Sequence, residues 1–308
     1  MRIIVTGGAG FIGSWVCEAY ISEGHEVLVV DNLSTGSEDN IPHEAEFIEC
    51  DVRDSAGLEK AFRQFRPEIV NHHAAQINVR DSVENPSLDA EINIGGSLNV
   101  LRLCVEHKTE KFIFSSTGGA LYGEPEKLPA GESTPALPLS PYGISKLSTE
   151  NYVRYHSRTH GFGHVILRYS NVYGERQNPE GEAGVIGIFC ENIISGKPCL
   201  IFGDGEQTRD YVHVSDVSRA NLLAATLEEE GTFNIGTSIE ISVNDIVRIL
   251  GEVTKTEFAT IHEKERPGEV RRISLDCSLA AEKLGWSAQV ALREGLSRTW
   301  DWFSRGRS

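Results

Sequence analysis

Tyr142 and Lys146 stand four residues apart in Ser140-Pro-Tyr-Gly-Ile-Ser-Lys146, a segment that runs on with a helical period. That spacing puts both side chains on one helical face. A phenol is a poor base at neutral pH, but a neighbouring ammonium favours its phenolate. Upstream, the hydroxyl cluster Ser115-Ser116-Thr117 closes an apolar run. A phenol, an ammonium and a hydroxyl brought together can move a proton on or off an alcohol. Turn chemistry accounts for at least one of the three hydroxyls.

A second motif lies at the start of the chain. Val5-Thr6-Gly7-Gly8-Ala9-Gly10-Phe11-Ile12-Gly13 satisfies Gly-x-Gly-x-x-Gly from Gly8 and Gly-x-x-Gly-x-x-Gly from Gly7. Such glycines permit a tight turn, and a helix starting there offers free N–H groups and a positive dipole end to a pyrophosphate. The motif is weak alone, but a strand-like run precedes it, a helical pattern follows, and an acid, Asp31, ends the second apolar run. Asp31 can accept both ribose hydroxyl bonds of an adenosine. No Arg or Lys stands at residues 32–36 to hold a 2′-phosphate, so NAD is preferred over NADP. An oxidised nicotinamide is a further influence favouring a phenolate at Tyr142. Asp51-Val52 closes the third apolar run, where a carboxylate can meet the adenine amino group or cap a helix. His73-Ala74-Ala75 follows the fourth run, and its small residues let backbone pass close to a cofactor.

The elements that must position these groups alternate. Residues 3–6, 26–31, 46–50, 69–72, 111–115 and 164–168 read as buried parallel strands. Residues 13–22, 58–65, 96–107 and 145–160 between them carry a helical period. This rhythm predicts an α/β fold with a doubly wound parallel sheet, whose ligands gather at the carboxyl ends of the strands. It assigns residues 1–170 to a Rossmann domain that binds NAD. Residues 171–308 are expected to form a smaller α/β substrate-binding lobe, interleaved with the sheet by elements near 210–238.

Composition narrows the function classes. A formal net charge of −16 argues against a nucleic-acid partner, which needs a basic surface. A few convergent arginines can still hold an anionic small molecule. The six cysteines include no C-x-x-C pair, which argues against a zinc site or a disulfide framework. A strand-like run at Met1–Thr6 predicts no signal peptide, and no stretch approaches the roughly 18 apolar residues of a membrane span. A cytoplasmic chain with no membrane partner and no metal is expected.

The segments above resemble the extended short-chain dehydrogenases/reductases, and among them most closely the UDP-glucose 4-epimerase family. The match also takes in Asp31-Asn-Leu33, Asn93, Tyr122-Gly123, Leu167-Arg-Tyr-Ser-Asn-Val-Tyr-Gly174 and Arg209-Asp-Tyr-Val-His-Val214, and so spans nearly the whole chain. It implies that Tyr142 is the base, that Lys146 holds the nicotinamide ribose and lowers the tyrosine pKa, and that Thr117 bonds the reacting sugar oxygen. Many relatives carry serine where Thr117 falls, and Gly118-Gly119 lengthens the next turn, so Ser116 is an alternative hydroxyl. For the cofactor, the resemblance adds Asn32, Ser34, Thr35 and Gly36 after Asp31, and Gln76 after Ala75. It also adds Asn93, Ser115 and Tyr169. For the UDP-sugar it implies Asn171 and Arg209 with Arg266 on the phosphates, and Leu200, Ile201 and Phe202 flanking the uracil. Val185 and Glu269 complete that set. Relatives of this type dimerise through a four-helix bundle, here expected from residues 87–107 and 145–160, with Leu98, Leu101 and Val105 on the face or in the core.

Several activities share this framework. Dehydratase relatives carry an acidic pair just after the active hydroxyl, where this chain has Gly118-Gly119. Epimerases of N-acetylated or uronate sugars and UDP-uronate decarboxylases stay open. A plain reductase using NADPH is disfavoured by Asp31 without a neighbouring base and by the long C-terminal part.

Overall fold

The apolar runs of the first half become strands because both of their faces are covered. They are β1 (Arg2–Thr6), β2 (Glu26–Asp31), β3 (Glu46–Glu49), β4 (Ile69–His72), β5 (Lys111–Thr117) and β6 (Gly163–Tyr169). Beyond them come β7 (Asn171–Tyr173), β8 (Cys199–Phe202), β9 (Thr208–Arg209), β10 (Tyr211–His213), β11 (Gly231–Ile235), β12 (Ile241–Ser242) and β13 (Thr260–Glu263). The structure, a computed structural model, describes residues 1–178, 184–265 and 270–305.

Seven strands form one parallel sheet in the order β11-β6-β5-β4-β1-β2-β3. The order reverses between β1 and β4, which opens a crevice at their carboxyl ends. Alternate residues of each strand feed two cores. Ile3, Val5, Val27 and Val29 pack on one face, and Ile4, Leu28, Val30 and Val70 on the other. The first face is covered by α1 (Phe11–Ser22) and later by α8 (Val214–Thr226); the second by α2 (Ser55–Phe65), α5 (Ser97–Glu106) and α6 (Pro141–His160). Between α2 and α5 lie the short α3 (Val79–Glu84) and α4 (Pro86–Ala90) and a wide turn at Glu91–Gly96. Before the last sheet strand comes α7 (Val185–Ile194), and after it α9 (Val243–Thr254), α10 (Ser278–Leu284) and α11 (Leu292–Arg305).

The strand periods and the structure agree along the first 170 residues, with differences confined to element ends. Helices α1, α2 and α6 start earlier than the periodicity predicts, the last two because their caps are polar. Asp54 caps α2 through the N–H groups of Ala56 and Gly57, and Ser140 caps α6 with Pro141 in its first turn. Strand β11 pairs with β6 from Gly231↔Val165 to Ile235↔Tyr169, so the chain returns to its first sheet after residue 230. A separate core gathers Tyr173, Phe189, Ile201, Tyr211, Ile246, Leu250 and Leu296 from the later elements. Among the described residues, no helix is long and apolar enough to cross a membrane.

Candidate active site

The glycine turn sits where the sheet order reverses. Gly7 has φ +71, and a Cβ there would lie 2.6 Å from the Ala74 nitrogen. A Cβ on Gly13 would lie 2.1 Å from the Gly7 carbonyl oxygen. Only glycine fits either place. Gly10 precedes α1 without a side-chain cap, and the first turn of α1 carries no acid. The positive end of that helix is therefore open to an anion. A cavity of about 890 Å³ opens beside Phe11 and Thr35, lined also by Arg176 and Arg298.

Asp31 is buried at the end of β2 and accepts N–H bonds from Ala9 at 3.0 Å and Leu33 at 2.8 Å. Burial pushes its carboxyl up, opposed by those bonds. Asn32 reaches Asp51 at 2.8 Å, and Gly36 passes so close that a Cβ there would lie 2.9 Å from the Ala9 backbone. Asp51 is bound by Arg53 through Nε at 2.9 Å and Nη2 at 2.8 Å. That guanidinium holds the carboxyl far below its usual range. Arg53 was not singled out from the sequence, although an acid followed two residues later by arginine was the available signal.

Beside the glycine turn lie the loop after β4 and the wide turn before α5. Asn93 accepts the Gln76 N–H at 2.8 Å and donates to the Gln76 carbonyl at 2.9 Å and to Ser145 at 3.1 Å. It thereby joins the loop after β4 to α6. His73 stacks on Tyr169, and burial pushes its imidazole down to about 3, so it stays neutral. Tyr169 donates to Asn221 at 3.1 Å, and Asn221 is in turn bonded by Asn71 at 2.9 Å.

Tyr142 and Lys146 occupy consecutive turns of α6, over the end of β5. Lys146 is 3% exposed, and its Nζ donates to the Ser115 carbonyl at 2.9 Å. The same Nζ lies 6.0 Å from the Tyr142 ring centroid. Burial pushes this ammonium down to about 8, while Asp89 and Glu150 act in the opposite direction. The three hydroxyls of β5 divide by the pleat. The Ser116 hydroxyl turns into the buried side and donates to Glu150 at 2.7 Å. Thr117 is partly exposed, accepts the Ala120 N–H at 3.2 Å, and faces the same Gly119 as Asn171 does. Of the two, Ser116 is buried and Thr117 partly exposed.

The later elements contribute the far rim. Asn171 opens β7 and pairs with Tyr211 of β10, and Arg209 ends β9. Val185 opens α7. On β8 the side chains differ: Ile201 is buried in the separate core of the later elements, Leu200 is exposed and Phe202 is half-buried. Ile201 therefore backs the strand rather than facing out. Arg266 and Glu269 lie outside the described residues. Among those described, no group of three or more His, Cys, Asp or Glu side chains could hold a metal.

Comparisons with known proteins point the same way. The model of the NAD dependent epimerase/dehydratase family matches residues 3–236. The chain is 47% identical to a putative UDP-glucose 4-epimerase of Methanocaldococcus jannaschii, covering 97% of each. It is similar to the UDP-glucose 4-epimerase of Thermotoga maritima solved with UDP-glucose, at a TM-score of 0.98 and 47% identity over 100% of both chains. The Thermus thermophilus UDP-glucose 4-epimerase, solved as a complex with NAD, is similar at a TM-score of 0.95 and 43% identity over 100% of both.

Proposed function

The chain belongs to the NAD-dependent epimerase/dehydratase family, and we propose that within it the protein interconverts UDP-glucose and UDP-galactose. The observation that carries this reading is the placement of Tyr142 and Lys146 on one face of α6, over the strand end that presents Thr117. Similarity to epimerases along the whole chain supports it. Bound NAD supplies the acceptor and donor of the hydride at the sugar C4. The cradle fits that cofactor: the glycine turn leaves no room for a Cβ, α1 offers an open N-terminus, and the Asp31 carboxylate ends β2 against that turn.

The chain's own residues then handle the proton and the sugar. Tyr142 accepts the O4 proton and later returns it, while the Lys146 ammonium favours the phenolate. Thr117 bonds the reacting oxygen. Asp31, Asn32, Ser34, Thr35 and Gly36 hold the adenosine side, with Asp51 near the adenine and Phe11 and Ile12 at the pyrophosphate. Asn93, Gln76 and Tyr169 shape the nicotinamide pocket. Asn171 and Arg209, with Arg266, take the diphosphate, since a guanidinium matches phosphate oxygens in two-pronged fashion. Leu200 and Phe202 take the uracil face. Residues 1–170 form the cofactor part and residues 171–308 the sugar-nucleotide part, with α8 and β11 returning to the first.

The partner we assign is a second copy of the chain, in the cytoplasm. Val79 and Val83 on α3, Leu88 on α4, and Ile144, Tyr152 and Tyr155 on α6 are all exposed. Helices α3 and α4 pack on α6, so these apolar groups lie on adjoining helices. Leu101 is fully buried and Val105 packs on the same core, so those two face the sheet instead, while Leu98 is half-buried. The decisive experiment incubates purified protein with UDP-galactose and no added cofactor, then identifies the product. UDP-glucose is expected. Release of a 4-keto sugar, or carbon dioxide from a UDP-uronate, assigns the chain to another activity of its family.

A further inference from the structure

Glu150 lies on α6 one turn beyond Lys146 and two beyond Tyr142, on the same face. It is 0% exposed, yet its carboxylate is fully partnered. Arg168 donates to it through Nε at 2.8 Å and Nη2 at 2.6 Å, Ser116 through Oγ at 2.7 Å, and Arg154 through Nη2 at 2.7 Å. Arg168 also donates to Tyr122 at 2.8 Å, and Tyr122 donates to Asn234 at 2.8 Å. One carboxylate thus ties α6 to β5, β6 and, through Tyr122 and Asn234, β11. An apolar side chain would fill this space without the cost of burying charge. The placement gives the charge a use. Ser116 stands between Ser115, whose carbonyl receives Lys146, and Thr117.

We infer that Glu150 is a positioning residue for the Tyr142–Lys146 pair: it fixes α6 on the strand end beneath that pair, and its negative charge supports the Lys146 ammonium. The inference rests on the roles given to Tyr142 and Lys146 above. The charged and titratable groups facing Lys146 are Asp89 from α4, His72 and His73 from the end of β4, and Tyr142 and Glu150 from its own helix. Burial drives both imidazoles down to about 3, so they stay neutral, and β5 presents the Phe114 ring and the Ser115 carbonyl. Arg168 and Arg154 face Glu150 from its other side. Burial raises the Glu150 carboxyl, and the Arg168 guanidinium more than offsets that, so it stays ionised. Asp89 and Glu150 are therefore the two negative groups that support Lys146.

The sign follows. Lys146 helps only while charged, so activity falls on the alkaline side as it deprotonates. Removing the Glu150 charge lowers the Lys146 pKa and moves that limb to lower pH.

The test is the pH profile of kcat with UDP-galactose on NAD-loaded Glu150→Gln. The alkaline limb should move down by about one pH unit, with KM changed less than about twofold. Glu150→Asp keeps the charge but shortens the reach, so kcat should drop while the limb stays. If Glu150→Gln does not accumulate folded, Glu150→Gln with Arg168→Gln removes both buried charges together, so their effects on Lys146 largely cancel: the limb should stay near its place while kcat drops, because α6 loses its tie to β5 and β6. An unshifted limb in Glu150→Gln, or an unchanged kcat in the double variant, overturns the inference. That result leaves the epimerase reading standing, since the reading fails separately, on the product formed and on Tyr142→Phe.

Discussion

One carboxylate oxygen of Asp31 accepts the backbone N–H of Ala9 at 3.0 Å. The acid at the end of β2 thus braces the glycine turn after β1, besides the ribose contact proposed for it. Asp31→Ala should lose both, weakening NAD by about 1.5–3 kcal/mol. Nucleotide released from denatured protein measures this. Recovery of NADP from the unmodified chain would count against the assignment.

Gly13 faces a different constraint. Its missing Cβ would fall 2.1 Å from the Gly7 carbonyl oxygen, and backbone cannot yield as a side-chain tip does. Gly13→Ala should therefore push α1 off the turn and abolish copurifying NAD. Gly24, where a Cβ meets nothing within 4 Å, but whose φ is +77, provides a comparison. Gly24→Ala should lower the melting temperature slightly while NAD content stays unchanged.

Tyr142→Phe removes only the phenol oxygen. Folding and NAD content should survive while turnover falls by about 10²–10⁴. Lys146→Met should also lose activity and move the optimum upward in pH, because the phenol loses its cationic neighbour. Thr117→Val should cost less than either. Near-normal epimerisation by Tyr142→Phe would show that another group is the base.

The exposed apolar groups on α3 and α6 predict self-association. Light scattering at micromolar concentration should give the mass of two chains. Ile144→Glu with Tyr155→Glu should give one, with far-ultraviolet circular dichroism unchanged. A single-chain mass for the unmodified protein would remove the dimer.

Glu175 links three elements. Its carboxylate lies 3.1 Å from His213 Nε2 and 3.1 Å from Arg298 Nε, and its carbonyl accepts the Trp15 indole N–H at 3.2 Å. Burial raises this carboxyl, but His213 and Arg298 prevail and leave it at about 2. A carboxyl with a depressed folded-state pKa stabilises above its unfolded value and loses that contribution as pH falls toward the folded one. Stability should decline between about pH 4.5 and 2, by up to about 3 kcal/mol from this group. Urea melts across that range should show a shallower decline in Glu175→Gln.

The cofactor half was legible because its signals are local. A glycine turn between an apolar run and a helical pattern, with an acid ending the next run, fixes most of the cradle within 31 residues. Tyr142 and Lys146 were legible for the same reason. Which of Ser116 and Thr117 is buried depends on the pleat of β5, which sequence periodicity locates only to within a residue. Glu150 and Arg168 escaped notice because each looks ordinary alone: an acid on a polar helix, and a base in the apolar run ending at Tyr169. Their pairing across α6 and β6 is a tertiary fact. A charge inside a buried strand was the available hint, since burial without a partner is so costly.

Strand β11 has a consequence for how the chain is made. It is the outer neighbour of β6, yet β6 ends at Tyr169 and β11 ends at Ile235. Trp286, later still, is buried in the core beneath the same sheet face. During synthesis the amino-terminal strands emerge long before these partners do. Until then β6 presents an unpaired edge, and the face over Val165 and Leu167 lacks its cover. Contacts so distant in sequence slow folding and prolong exposure of apolar surface. Truncation before residue 231 should therefore yield an aggregating fragment rather than an autonomous dinucleotide-binding domain.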